Sequence, residues 1–576
     1  MRPWYLGNTT VRSPFRLRDG LVALSTSPLQ GNLRGQKQEM NFCSLLGEHG
    51  IVNLRGDVTY SVGRKWRSAL NQLGFLYPAM SPPTPLSEPT PLDMITSNGW
   101  NLIRADTVPA MQECFLRALA AYYIPSPLEP KFDCSIFSPL RHTLAIMLEL
   151  EKQTGESRLN FIEMAAVVQL TSRDDNLAVI VANILDFRDR RKNTPLNKKK
   201  FDREELTELA KIVFKPNGQP YEQQTFNDYA DTNFRYLKAT GLVQSKGRGL
   251  SLVQEKHVFV EKLIQDTRLP DSDYSYLVTL CKGATLPTDN KDSALAVLDD
   301  LLYQLNKRGI PFDTTGKSTE TPADIAIIRH QIEGILSERN EEDYATRQAD
   351  QWEEIAAYMG LIMSRHRGKK TLPNGDEIEV PQTEAPAYFE WVLWRAFLAI
   401  NSLANKPYEA RRFKIDQDFL PVGTAPGNGP DLIFEFDDFV IVVEVTLTDN
   451  SRQEAAEGEP VRRHVADLVS HYAAQSGKSV YGLFIANRID SNTAETFRIG
   501  AWFTRTDDRM RLDIIPVTLV QFKAFFEALF MSGRVEVGLI RELLDLCGGL
   551  RAAHEAPAWK HEIGQTINQR ITSLLQ

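Results

Sequence analysis

Pro430-Asp431-Leu432-Ile433-Phe434-Glu435-Phe436, followed after two aspartates by Phe439-Val440-Ile441-Val442-Val443-Glu444-Val445-Thr446, decides how this chain reads. An aspartate opens one apolar run, and a glutamate stands near the end of a second. Pro430 holds Gly429 extended and starts the first strand, which puts Asp431 at its mouth. A lone carboxylate inside a buried strand is costly unless a cation or proton compensates it. Two carboxylates gathered at one end of a sheet make an oxygen-ligand site that suits Mg²⁺, with Mn²⁺ as a substitute.

Working outward from this strand pair, a helix is expected before it at residues 385–403 and another after it at 459–475. Val480-Tyr481-Gly482-Leu483-Phe484-Ile485-Ala486 and Leu512-Asp513-Ile514-Ile515-Pro516-Val517 read as further strands, with helices to the end. That order describes a compact α/β domain with a mixed sheet, bounded at the Asn374-Gly375 turn and covering residues 376–576. Residues 286–375 carry helical periodicity, as in Ala294-Leu298-Leu301-Leu305 and Ile325-Ile328-Ile332-Ile335, and read as a helical linker.

The N-terminal half reads as two diverged copies of one pattern. Val62 to Phe75 is a basic amphipathic helix ending at Gly74, a Pro-rich loop follows (Pro78 to Pro91), and Met94 to Ile103 reads as a strand with a turn. Asn233 to Val243 is likewise a helix running into a strand, with the basic turn Ser245-Lys246-Gly247-Arg248-Gly249 and a returning strand at Leu250-Ser251-Leu252. Helix, Gly and hairpin in this order look winged-helix-like, so residues 1–150 and 151–285 are assigned as two recognition subdomains. Helix–Gly–strand is also common in any α+β domain. The run Arg188-Asp189-Arg190-Arg191-Lys192, with Lys198-Lys199-Lys200 beyond it, reads equally as a solvated surface or a phosphate-binding face.

A chain of 576 residues is too long for one core. At 42% apolar and 24% charged it has an ordinary globular composition. No run is long and apolar enough to predict a membrane span, and the first residues lack an apolar core of signal-peptide length. The five cysteines are scattered without CxxC spacing, which argues against structural zinc or a disulfide framework and fits a reducing cytoplasm. The net charge of −8 leaves room for local basic faces.

Glu390, among aromatic and apolar neighbours on the first helix, and Glu459, just before Pro460 at the start of the next, extend the acidic set. Arg463 and His464 lie one turn on. Phosphodiester hydrolysis needs an in-line water, a group to deprotonate it, and positive charge for the phosphorane-like state. A Mg²⁺ held by Asp431 and Glu444 can supply hydroxide and charge, Glu390 completing the shell. His464 can carry the proton, and Arg462 or Arg463 can neutralise a phosphate oxygen. Taken singly, Glu390 is more often a partly exposed helix residue, Glu459 a helix N-terminal charge, His464 a structural histidine and Asp431 a turn residue. Glu444 is the hardest to read as structural, because five apolar residues precede it.

The stretches "GNGPDLIFEFDDFVIVVEVT", "GEPVRRH", "FEWVLW" and "WYLGNTTVRSP" resemble the AlwI-type Type IIS restriction endonucleases and related strand-nicking enzymes, and the Pro-Asp hairpin resembles a PD-(D/E)xK nuclease core. The resemblance implies a multidomain α/β plus α+β protein. Its winged-helix-like recognition modules precede a helical linker and a mixed-sheet nuclease domain. It implies catalytic residues Glu390, Asp431, Glu444, Glu459 and His464, with Asp431, Glu444 and Glu390 as Mg²⁺ ligands. It also implies binding to a short asymmetric site in double-stranded DNA, cleavage a few base pairs outside it, a bacterial or archaeal cytoplasm and a companion DNA methyltransferase. The lysine usual two residues after the glutamate is Thr446 here, leaving His464, Arg463 or Lys478 to take its role. Candidates for touching DNA are basic groups on the N-terminal arm and the module helices and hairpin: Arg12; Arg64, Lys65 and Arg67; Arg235 and Lys238; Lys246 and Arg248.

Other readings are a strand-nicking enzyme, the large subunit of a heterodimeric enzyme, or one half of a homodimer that makes a double-strand break. A non-catalytic DNA-binding regulator would need neither Glu444 nor a metal. Gly316-Lys317-Ser318 is no P-loop, since Pro311 stands where that motif needs glycine.

Overall fold

The computed structural model describes residues 2–9, 11, 13–52, 61–79, 92–364, 369–373 and 377–576. Arg12, the Asn374-Gly375 turn and most of the Pro78–Pro91 loop lie outside the described residues. The chain divides into two compact units, Met1–Gly334 and Ile335–Gln576.

The first unit is mainly helical. Ser61–Gln72 is the expected basic helix, and Gly74 follows at φ +69°, where a Cβ would lie 2.2 Å from the Leu280 carbonyl oxygen. The stretch from Met94 to Ile103, expected as a strand with a turn, holds instead the helix Ser97–Arg104. Thr96 caps it, its hydroxyl accepting the Gly99 N–H at 3.0 Å. Gly99 serves close packing, since a Cβ there would lie 2.4 Å from the Phe75 carbonyl oxygen. The later segment folds as read. Helix Gln223–Ala239 passes through Gly241 into the antiparallel hairpin of Val243–Lys246 and Gly249–Leu252, with Leu159–Asn160 as a third strand.

The N-terminal residues are woven into this unit. Trp4 is fully buried, its indole N–H donating to the Thr171 carbonyl, and Asn233 accepts the Leu6 N–H at 2.8 Å. Much of the basic run is taken by carboxylates: Arg188 pairs with Glu163, Arg190 with Asp186 and Glu205, and Arg191 with Asp202.

In the second unit, helix α1 (Ala385–Ile400) is buried at every position but Pro386, as a helix apolar on all sides must be. It lies on a four-stranded sheet of β1 (Leu432–Glu435), β2 (Phe439–Thr446), β3 (Ser479–Ala486) and β4 (Asp513–Thr518), in the order β4-β3-β2-β1. Phe397 of α1 stacks on Phe434 at 4.2 Å. Strand β1 is antiparallel to β2; β2, β3 and β4 run parallel. Helix α2 (Glu459–Gln475) makes the crossover from β2 to β3, and α3 (Ser491–Ile499), α4 (Leu519–Met531) and α5 (Ala556–Leu575) are among the helices that follow. The register aligns Thr446, Ala486 and Thr518 across the C-terminal edge of the parallel strands, where α/β sheets present their sites. Among the described residues no helix is long and apolar enough to cross a membrane.

Candidate active site

The antiparallel pairing of β1 with β2 brings the mouth of one strand beside the end of the other. Asp431 accepts the Val445 N–H at 2.8 Å. Glu444, 7% exposed, bonds through Oε1 to Nδ1 of His464 at 2.7 Å. Glu390 reaches the same edge from α1 and accepts the Ala425 N–H at 2.7 Å. A cleft of about 400 Å³ opens here, lined by Glu390, Phe389, Thr446 and the loop Leu447–Asn450.

The electrostatics follow from burial. Desolvation pushes all three carboxyls well above the usual range, and their neighbours push them further: Asp431 and Glu444 act on Glu390, and Glu444 and Glu457 act on Asp431. Glu444 is raised by burial and by Glu457, with the backbone of Asp431 and the charge of Arg412 opposing. His464 is lowered by burial and by Arg463, which favours the neutral ring. With Nδ1 as donor to Glu444, its Nε2 is a buried acceptor that has no hydrogen-bond partner among the described residues.

This donor set fits a hard divalent cation. Buried, mutually repelling carboxylates are stabilised by positive charge. Among the described residues no three His, Cys, Asp or Glu side chains close into a metal cage. Mg²⁺ does not require such a cage, because that ion keeps several waters and takes one or two carboxylates plus substrate oxygens.

Glu459 is not brought into this group. Its side chain is 56% exposed and pairs with Arg463 at 3.1 Å. Glu457 is the carboxylate that faces the site, hydrogen-bonded to Thr446 and raised by burial. It lies in a π-helical turn, Glu454–Gly458, that precedes α2. The seven-residue spacing from Glu457 to His464, two helical turns, with Val461 and Val465 buried on the same face, was the available signal.

Arg412 was also missed. It donates to the Pro430 carbonyl at 3.1 Å and to Asn428 Oδ1 at 2.7 Å, bracing the turn that delivers Asp431. A Cβ on Gly429 would lie 2.1 Å from its guanidinium, so a side chain there would displace this brace. Lys478 sits at the far end of the sheet, bonded to Glu435 and the Phe436 carbonyl, both at 2.6 Å. Five residues of β2, about 17 Å, separate that end from Glu444, too far to stand in for the usual lysine. Arg462 bonds to the Gly458 carbonyl and lies over the Trp502 ring.

In the first unit, Arg64 and Lys65 are exposed on their helix, whereas Arg67 is drawn into an ion pair with Glu39 at 3.0 Å. Arg235 pairs with Asp231, Lys238 reaches Ser245, Lys246 lies 3.4 Å from Glu156, and Arg248 is exposed at the hairpin turn.

The AlwI restriction endonuclease family model matches residues 71–525. Among solved structures, the small subunit (R.BspD6I2) of the heterodimeric restriction endonuclease R.BspD6I is 27% identical, with 33% of this chain and 91% of that chain covered and a TM-score of 0.25. No curated protein matches. Because the family match runs over most of the sequence, the chain belongs to the AlwI restriction endonuclease family.

Proposed function

We propose that the chain is a Type IIS restriction endonuclease, which binds a short asymmetric site in double-stranded DNA and hydrolyses a phosphodiester bond a few base pairs outside it with Mg²⁺. Residues 1–285 form the recognition region, with the hairpin after Gln223–Ala239 as its wing; residues 286–375 are the linker and 376–576 the nuclease domain. The observation that carries the reading is a pair of buried carboxylates, Asp431 and Glu444, at a sheet edge beside an open cleft.

Bound there, Mg²⁺ would supply an acidified water and charge for the phosphorane-like state. Asp431 and Glu444 present the ligand oxygens; the Val445 N–H fixes the first and His464 the second. Glu390 and Glu457 enlarge the negative field that draws the cation. His464 Nε2 is placed to carry a proton. Arg412 and Arg463 bring the positive charge that Thr446 lacks, their fields reaching Glu444. One such site cuts one strand, so the chain alone nicks, and a double-strand break takes a second copy or a small-subunit partner.

Glu444→Ala should lower plasmid cleavage by about 10³-fold or more while DNA binding in Ca²⁺ is kept. A variant that cuts at the wild-type rate overturns the reading.

A further inference from the structure

A second polar cleft, of about 440 Å³, opens on the same sheet edge, past the ends of β3 and β4. Two cations face it. Lys560 donates to the Ile489 carbonyl and to Ser491 Oγ, both at 3.0 Å, and an ammonium has a third N–H to give. The exposed guanidinium of Arg488 makes no ion pair among the described residues. Burial and the Arg488 charge pull Lys560 below the ordinary lysine range, with Asp490 opposing. The cations repel each other, and a bound anion would relieve both.

The walls suit an oxyanion. On α5, Lys560, Gly564 and Asn568 recur every fourth residue and face the cleft, while Trp559, Ile563 and Ile567, each one residue earlier, are buried on the adjacent face. A Cβ on Gly564 would lie 2.8 Å from the Gln521 amide, so the glycine keeps that amide's place in the cleft. Asn487 also lines it. Amide donors beside two cations are a phosphate's partners.

Resting on the endonuclease reading above, we propose that this cleft seats a backbone phosphate of the strand being cut and fixes how far that strand slides past the carboxylates. The register sets the distance. Thr446 lines the first cleft and Thr518 the second, with Ala486 between them, so the two lie about 10 Å apart, or about three nucleotides of axial rise.

Run-off sequencing of plasmid cut by the full-length protein identifies the scissile links. Duplexes of that sequence, each with one neutral methylphosphonate link within three positions of the cut, are then cleaved by wild type, Arg488→Ala and Asn568→Asp. Both substitutions lie at exposed positions outside the carboxylate cluster. One neutral link should cost the wild type about tenfold in kcat/KM and Arg488→Ala less than about twofold, and the log–log salt slope of binding in Ca²⁺ should shrink by about 1 in that variant. Asn568→Asp should lose about tenfold on all-phosphate DNA and regain part of it on the sensitive neutral link. Equal losses for wild type and Arg488→Ala at every link overturn the proposal. So does an abasic replacement that costs the wild type more than the neutral link, which would make the cleft a base pocket. If the wild type cuts nothing in Mg²⁺ or Mn²⁺, the endonuclease reading itself has failed and this proposal with it.

Discussion

Glu163 in the first unit and Glu444 in the second are both buried, at 1% and 7% exposure, yet they are treated in opposite ways. Glu163 receives a two-pronged bond from Arg188 at 2.8 and 2.9 Å, and Asn160 adds two more donors. Glu444 has a histidine and a crowd of like charge. The second unit is able to neutralise a buried charge where the fold requires it: fully buried Arg395 is met by Glu354, Gln348 and Gln351. A buried charge that the chain satisfies itself belongs to the architecture, and one left in need of a cation is a candidate for the proposed chemistry.

The contrast breaks first at stability. Glu163→Gln should cost about 2 kcal/mol, because it strands the partly exposed Arg188, whereas Glu444→Gln should stay within about 1 kcal/mol of wild type or rise, because it removes an uncompensated charge. Denaturant unfolding in chelator measures both, and equal losses would make Glu444 structural. A second comparison lies inside the site. Glu457→Gln should reduce cleavage about 10- to 100-fold and Glu459→Gln less than about threefold, measured as initial nicking rates. The reverse order would return Glu459 to the site.

The smallest effect compares the histidines. His142, bonded to Thr171 at 2.9 Å and packed edge-on against Phe137, is pulled by burial to about 4, with Asp175 opposing. Unfolded, it takes a proton near 6.5, so stability is full above that pH and is lost as pH falls from 6.5 toward 4. The loss should be on the order of 1–2 kcal/mol, given the part-exposed ring. His142→Gln should flatten this part of the pH–stability curve; an unchanged slope removes His142 as its source.

The sheet and its carboxylates were legible because charge interrupts an otherwise apolar strand, and that pattern survives any packing. Helix α1 was legible from its aromatic density. What escaped depended on contacts made far along the chain. Asn98-Gly99 has turn composition, but Gly99 answers to the Phe75 backbone. Pro460 marks a helix start, and Glu459 beside it drew attention from Glu457, which only a π-helical turn points at the strand end. Lys478 follows the right helix but enters β3 at the wrong end, a fact of register that no spacing shows.

One amide has a longer reach. Fully buried Gln453 donates to the Thr448 and Arg488 carbonyls at 2.6 and 2.9 Å and accepts the Asp490 N–H at 2.8 Å. All three of its partners are main-chain atoms, so the tether is indifferent to which side chains occupy positions 449–452. Changes among the side chains at the mouth of the cleft therefore leave this anchor of its rim in place.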